Sequence, residues 1–371
     1  MSSWFLWYYI NIMKKEILLA HWPKITVKRH QQLLAFFSSL ENAWKAKSEN
    51  LQKMGWKDEL ATNFLDWRNS VNENKITKIL EQEKITCVLK DDSNYPELLK
   101  EIYDAPFCLF TRGEIDNEGF SLAVVGPRKF SPYGKQITEE IVRDLASQGI
   151  IIVSGLALGI DSIAHKTTLE TGGKTIAVLG AGVNDRHIYP AGHRNLANDI
   201  IKKDGAVISE YPPGALPSRF TFPRRNRIVA GMTLGTLVIE AAEGSGALIT
   251  AQSALDNNRE VFAVPQNITS PNSAGVNQLI KNGAHPVTCA QDIIDVLDLE
   301  DIKNFISNRE IVPDSPTEAK LLEFLSREPI HVDQLVKKSE LDSPAVNATL
   351  TLMEMKGKVK NLGGMNYVLS R

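Results

Sequence analysis

The sequence has three cysteines in 371 residues, and Cys87, Cys108 and Cys289 stand far apart, with neither paired spacing nor a metal-ligand pattern. That scarcity excludes a disulfide framework and a structural zinc site, and it points to a reducing compartment, the cytoplasm by default. An excess of either charge is missing as well: 42 Lys and Arg stand against 44 Asp and Glu, a formal net charge of −2. So balanced a chain has no global attraction for nucleic acid, and any such binding needs a local positive field. The aromatic stretch from Met1 to Ile12 has no basic lead and no small-residue cleavage site, so it does not read as a signal peptide; it is too short to span a bilayer and reads as an extension from an upstream start codon. No membrane partner is expected. Two nucleotide signatures are lacking too. Without a Gly-Lys-Ser or Gly-Lys-Thr phosphate loop the chain is not an ordinary ATPase, and without a three-glycine fingerprint and an acidic residue ending the second strand NAD is disfavoured. No cofactor is expected.

What is present is a local positive field. Arg219 to Ala230 reads Arg-Phe-Thr-Phe-Pro-Arg-Arg-Asn-Arg-Ile-Val-Ala, four arginines and two phenylalanines close together. Guanidinium groups bind phosphates through planar forks, and exposed rings give unpaired bases a face to stack on. Taken alone, the stretch is either a single-strand site or an arginine-rich loop solvating its own ion pairs. Phe220 and Phe222 are either stacking faces or core residues of an irregular segment, since Pro223 weighs against regular structure there.

Along the chain, residues 13–82 carry helical patterns, with Leu33, Phe37 and Leu40 in one segment and Leu60, Phe64 and Trp67 in another. Residues 83–300 form the main domain, opening with a lead-in over 83–120 that holds short extended runs at Ile85 to Leu89 and Phe107 to Phe110. Apolar strand-like runs then alternate with helical ones: Leu122 to Val125, Ile150 to Val153, Thr175 to Leu179, Ala206 to Ser209, Thr236 to Ile239 and Glu260 to Val264. The expected fold class is α/β, an extended Rossmann-like, doubly wound and mostly parallel sheet. Its first helix is expected to start with Ser131 as cap and Pro132 at the first position, and to end at Gly149. A linker over 301–315 leads to a small domain, 316–371, where three helices and a hairpin around Gly363-Gly364 suggest a winged helix. Its third helix has no Arg or Lys before Lys356, which favours a protein-contact or structural role over duplex reading.

Ligands of such sheets bind beyond the carboxyl ends of the strands. Three loops there carry candidate anion nests: Gly126-Pro127-Arg128, the run from Ser154 and Gly155 to Gly159 and Asp161, and Gly244-Ser245-Gly246. Each also reads as a plain tight turn. Asp161 and His165, four apart, either serve acid–base work or tie down a helix end, and with no nucleophile beside them the structural role is favoured. Glu210 and Glu240, each just after a buried strand, are expected to pair with arginines rather than act as catalytic carboxylates.

These motifs in this order closely resemble the DprA/Smf family of bacterial DNA-processing proteins, from about Tyr95 to Leu297: Val125-Gly126-Pro127-Arg128, Ser154-Gly155-Leu156-Ala157-Leu158-Gly159-Ile160-Asp161, Ala164-His165, Tyr189-Pro190, Ser209 to Gly214, Phe222 to Arg227, Glu240-Ala241-Ala242, Ser245-Gly246 and Val264-Pro265. The resemblance implies a non-enzymatic protein of natural transformation that coats incoming single-stranded DNA, helps load the RecA recombinase and forms a homodimer. It implies a helical N-terminal domain like a sterile alpha motif and a C-terminal winged helix. It places the DNA site at Arg128, Arg219, Phe222, Arg224, Arg225, Asn226 and Arg227, with Phe222 contacting bases. Pro127 stands where the family has a small hydroxyl residue, and Gln266 where it has glycine. The family's sheet is shared with phosphoribohydrolases of the LOG type, and Gly235-Thr236 with Glu240 partly echo their motif, which makes nucleoside monophosphate hydrolysis the alternative.

Overall fold

A computed structural model describes residues 14–117, 119–297, 315–325, 329–339, 341–356 and 358–369. The expected N-terminal extension and nearly all of the expected linker lie outside the described residues. The chain divides into two compact units, one through residue 299 and one from residue 300.

Among its described residues the first unit opens with six helices, α1 to α6: Lys15–Ala20, Val27–Phe37, Leu40–Trp44, Ser48–Lys53, Asp58–Ser70 and Glu73–Gln82. Thr26, Ser39 and Asn72 cap three of them, each side chain accepting from a backbone N–H three residues on. Trp22, Leu33, Leu51, Trp56 and Phe64 form their core. The two buried indoles donate to Asn63 and Gln32, both at 3.1 Å, so neither N–H is left unsatisfied. These helices do not stand apart from the sheet. Ile17 and Ala20 of α1 share a core with Cys87, Cys108 and Phe110 of its strands, and His30 stacks on Phe107 at 4.1 Å with the rings 6° from parallel.

Among the described residues the sheet has nine strands: β1 Thr86–Leu89, β2 Cys108–Gly113, β3 Ser121–Val125, β4 Ile151–Ser154, β5 Thr175–Val178, β6 Ala206–Ser209, β7 Gly235–Val238, β8 Glu260–Ala263 and β9 His285–Pro286. They lie in the order β1-β2-β6-β5-β4-β3-β7-β8-β9, with β3 to β9 parallel and β1 and β2 antiparallel. All six expected Rossmann strands are there, within one residue of their expected ends. Beside and between the strands run α7 Glu97–Lys100, α8 Pro132–Ser147, α9 Ile160–Glu170, α10 Arg194–Lys202, α11 Thr221–Gly231, α12 Gly246–Asp256, α13 Ala274–Lys281 and α14 Ala290–Val296. As expected, Ser131 caps α8, accepting from the Gly134 N–H, with Pro132 at the first position. Strand order reverses at β3: β4 to β6 step to one side and β7 to β9 to the other. The loops after β3, β4 and β7 therefore open into one crevice.

One local expectation fails. The segment around Phe222 is not irregular, because α11 starts at Thr221 and places Pro223 third. The first-turn N–H groups have no intrahelical partner, so the N–H that proline lacks is one the helix does not need.

The second unit holds α15 Pro316–Leu322, β10 Ile330–His331, α16 Val332–Ser339, α17 Ser343–Met355, β11 Val359–Asn361 and β12 Asn366–Leu369. This is the expected order of three helices and a hairpin, with β10 added on the free side of β12. Leu321, Leu335, Val346, Leu350 and Met353 fill its core. Glu318, 2% exposed, accepts from Lys356 at 2.8 Å and Lys358 at 2.7 Å, so the ammonium groups of the lysines that come after α17 are held on a buried carboxylate.

Among the described residues no helix is long and apolar enough to cross a membrane.

Candidate nucleic-acid interface

The N-terminus of α11 is the centre of the site. Its cap, Phe220, offers no side-chain acceptor, and the Ser218 hydroxyl takes the N–H groups of Phe220 at 3.3 Å and Thr221 at 3.2 Å instead. Phe222 is half-buried. Its ring centroid lies 5.5 Å from that of Tyr189, and the Arg128 guanidinium sits 5.7 Å from it, a cation–π distance. Just before the helix, Phe220 is 71% exposed with the Arg219 guanidinium 4.8 Å away. Two aromatic faces thus carry one arginine each.

The arginines divide by burial. Among the described residues the ion-paired arginines are Arg112, Arg224, Arg227 and Arg259, so exposed Arg128 and Arg219 have no carboxylate partner. Arg224 is also on the surface, its Nε 3.8 Å from Glu210. The other two point inward, against the expectation that they bind phosphate. Arg225 is 5% exposed and donates to the carbonyls of Gly155 and Val178. Burial lowers its pKa while the Asp161 carboxylate opposes that shift, and burial in turn raises Asp161. Arg227 donates through both terminal nitrogens to Glu210, at 2.7 and 3.0 Å, and through Nε to Asp104 at 2.6 Å. Burial alone would lower the Arg227 pKa, but the two carboxylates outweigh it and hold the group above its ordinary value. Asn226 donates to the Gly246 carbonyl at 3.3 Å, tying α11 to the start of α12.

The expected anion nests are largely filled by the protein itself. Asp161 accepts from the N–H groups of Gly155 at 3.1 Å and Ala157 at 3.3 Å, so the loop after β4 already holds a carboxylate. The Ser154 hydroxyl is fully buried and donates to Val124 O at 2.7 Å, which removes it as a phosphate donor. Gly155 is needed because a Cβ there would strike the Arg225 guanidinium. Gly159, at φ +86°, lets the loops after β3 and β4 touch, since a Cβ would meet the Pro127 carbonyl and the Arg128 backbone. A Cβ on Gly126 would meet Ile160 at 2.5 Å. Ser245 caps α12, accepting from the Ala247 N–H at 3.3 Å, and the space around Gly246 is open. His165 does not meet Asp161. Its Nδ1 shares a hydrogen bond of 2.7 Å with the Thr175 hydroxyl, and burial pulls its pKa down to about 3.

Glu210 pairs with arginine as expected, but Glu240 does not. Fully buried, Glu240 accepts from the Ser131 N–H at 3.0 Å, the Ser131 hydroxyl and Asn272 Nδ2 at 3.2 Å. Asn272 Nδ2 also donates to the Lys129 carbonyl at 3.1 Å. Together these groups staple the Arg128 loop to the loop after β8.

Against known proteins, residues 86–298 match the family described as DNA recombination-mediator protein A, and residues 307–365 match the DprA winged helix domain. The chain belongs to the DprA family. It is similar to protein Smf of Escherichia coli, 37% identical over 340 residues that cover 88% of this chain and 90% of that one. The DprA of Streptococcus pneumoniae is 46% identical over 204 residues, 55% of this chain and 71% of its own. Its crystal structure superposes with a TM-score of 0.66 at 35% identity, over 77% of this chain and 98% of that chain. A DprA of Helicobacter pylori, solved for its single-stranded DNA binding mode, superposes with a TM-score of 0.52 at 29% identity, over 59% of this chain and 97% of that chain.

The two departures from the DprA pattern are absorbed locally. The carbonyl of Pro127 accepts from Ile160 N–H at 3.4 Å, and the Gln266 side chain folds back to donate through Nε2 to Ile239 O at 3.0 Å. Sequence reasoning missed Tyr189 as a neighbour of Phe222, although Tyr189-Pro190 belongs to the DprA pattern. It missed Asn272 and Ser131 as partners of Glu240 because nothing in their spacing links three loops so far apart in the chain.

Proposed function

We propose that this chain binds single-stranded DNA, protects it during natural transformation and helps load the RecA recombinase onto it, acting in the cytoplasm as a homodimer without catalytic turnover. One observation carries the reading: two aromatic rings at the carboxyl edge of the sheet, Phe222 and Phe220, each lie beside an arginine with no carboxylate partner among the described residues. Bases stack on aromatic faces irrespective of sequence, and free guanidinium groups fork phosphates. The binding mode described for the Helicobacter pylori relative supports the same ligand. Arg128, Arg219, Phe222 and Arg224 are the contacts in this reading, while Arg225, Arg227 and Asn226 hold the helix that presents them. The hydrolase alternative is weaker, because Glu240 is enclosed by Ser131 and Asn272.

Binding isotherms of a single-stranded and a duplex oligonucleotide over a salt series test the proposal. The expected result is tighter, sequence-tolerant binding of the single strand with a negative log–log salt slope. Equal affinity for the duplex would overturn it. Recombinase nucleation on a precoated strand tests loading separately from binding, and release of free base from nucleoside monophosphates would restore the hydrolase.

A further inference from the structure

A cleft of about 470 Å³ opens between the N-terminal helices and the sheet's carboxyl edge, lined by Pro23, Pro106, Phe107, Tyr211 and Pro212, with Glu210 and Arg224 among its polar groups. Such a volume falls in the range of about 300–1,000 Å³ that holds small organic ligands. The pocket beside Arg128, Phe222 and Tyr189 encloses only about 30 Å³, the share of about one water molecule. That pocket is too small to enclose a base, which on the single-strand reading would lie across Phe222, whereas the cleft has room to take one in.

The two sites adjoin the same helix end. Phe222 and Arg224 are two residues apart on α11, about 200° around its axis, so one first turn supplies a ring to the pocket and a guanidinium to the cleft. Between them lies the helix N-terminus, whose partial positive charge favours phosphate. Glu210 does not make the cleft anionic, since both its oxygens accept from Arg227. The walls are firm as well as flat: His30 stacks on Phe107, and α1 shares its core with the sheet.

We propose that this cleft is a second base site for the same DNA strand. Having laid one base across Phe222, the strand turns over the N-terminus of α11, places a connecting phosphate at Arg224 and inserts a further base beside Phe107 and Tyr211. This inference rests on the single-strand reading of the α11 site.

Oligothymidylates carrying one 2-aminopurine at successive positions test it on the full chain. The saturated wild-type complex is expected to quench two separate positions. Tyr211→Ala, which removes a wall, and Ala215→Trp, which fills the cleft, should each restore fluorescence at one of them and weaken binding about 5- to 150-fold, the range for losing one base stack. The other position should stay quenched and respond to Phe222→Ala. Should Tyr211→Ala lower the melting temperature, Ala215→Trp decides, because it leaves Tyr211 beside Glu210. Both cleft variants binding as wild type, with Arg128→Ala still weakened, would overturn the cleft site alone. A wild-type chain that binds no single strand would overturn both readings. Quenching of free 2-aminopurine deoxyribonucleotide in the cleft, with no second quenched position on the strand, would replace the shared strand by a separate mononucleotide site.

Discussion

On the proposed reading, Phe222 and Arg128 are expected to make separable contributions. Phe222 has no charge to lose, so Phe222→Ala is expected to weaken single-strand binding by ~1–3 kcal/mol with the salt slope unchanged. Arg128→Ala should instead reduce that slope by about 0.7, one phosphate contact on a single strand. Isotherms at four salt concentrations distinguish the two, and an unchanged slope for Arg128→Ala would remove it from the contact. Arg225 is predicted to behave differently from either. Its loss leaves the Gly155 and Val178 carbonyls without their donor and buried Asp161 without a compensating charge. Arg225→Ala should therefore destabilise the fold by ~3–5 kcal/mol, read as a lower melting temperature before any change in salt slope. The sequence shows these arginines as equals. Successive helix positions turn by about 100°, so Arg224, Arg225 and Arg227 face three directions. Which direction is solvent depends on Asp104, Asp161 and Glu210, which are contributed by distant segments.

At the scale of elements, the Rossmann strands are legible because each is a short, mostly apolar run bounded by glycine, proline or a polar residue, the mark of a strand covered on both faces. Helix α11 is not, because a proline in the first helical turn resembles a helix breaker until the helix start is known. The docking of α2 onto the sheet is equally hidden, since His30 and Phe107 are 77 residues apart and neither type specifies a partner. That contact has a pH signature. His30 is 8% exposed, its Nε2 has no hydrogen-bond partner among the described residues, and burial pulls its pKa down to about 4. The fold favours the neutral ring, so this stabilisation is complete above the unfolded value of about 6.5 and is lost as pH falls toward 4. It amounts to ~3 kcal/mol at most. His30→Phe is expected to keep the stack and flatten the fall in melting temperature between pH 7 and pH 4; a wild-type slope in that variant would exclude His30 as its source.

Of the two units, the first is expected to carry binding. The winged unit has no basic residue in its third helix before Lys356, and Lys356 and Lys358 are both drawn onto buried Glu318. Deleting everything after Asp314 should leave single-strand affinity largely intact, measured on a truncation whose melting confirms that it is folded. Loss of binding would assign the strand to the winged unit. The rims of the sheet bear on how many copies can crowd together. At one rim β9 is two residues long and ends in Pro286, which has no N–H to offer, and at the other β1 is a strand of four residues. Neither is a long, flat template onto which another chain could add a strand. On the proposed single-strand reading, copies packed along one nucleic acid molecule would therefore meet through side chains rather than by continuing each other's backbone ladders, and a coat assembled this way would disperse when its scaffold is removed instead of hardening into cross-β aggregate.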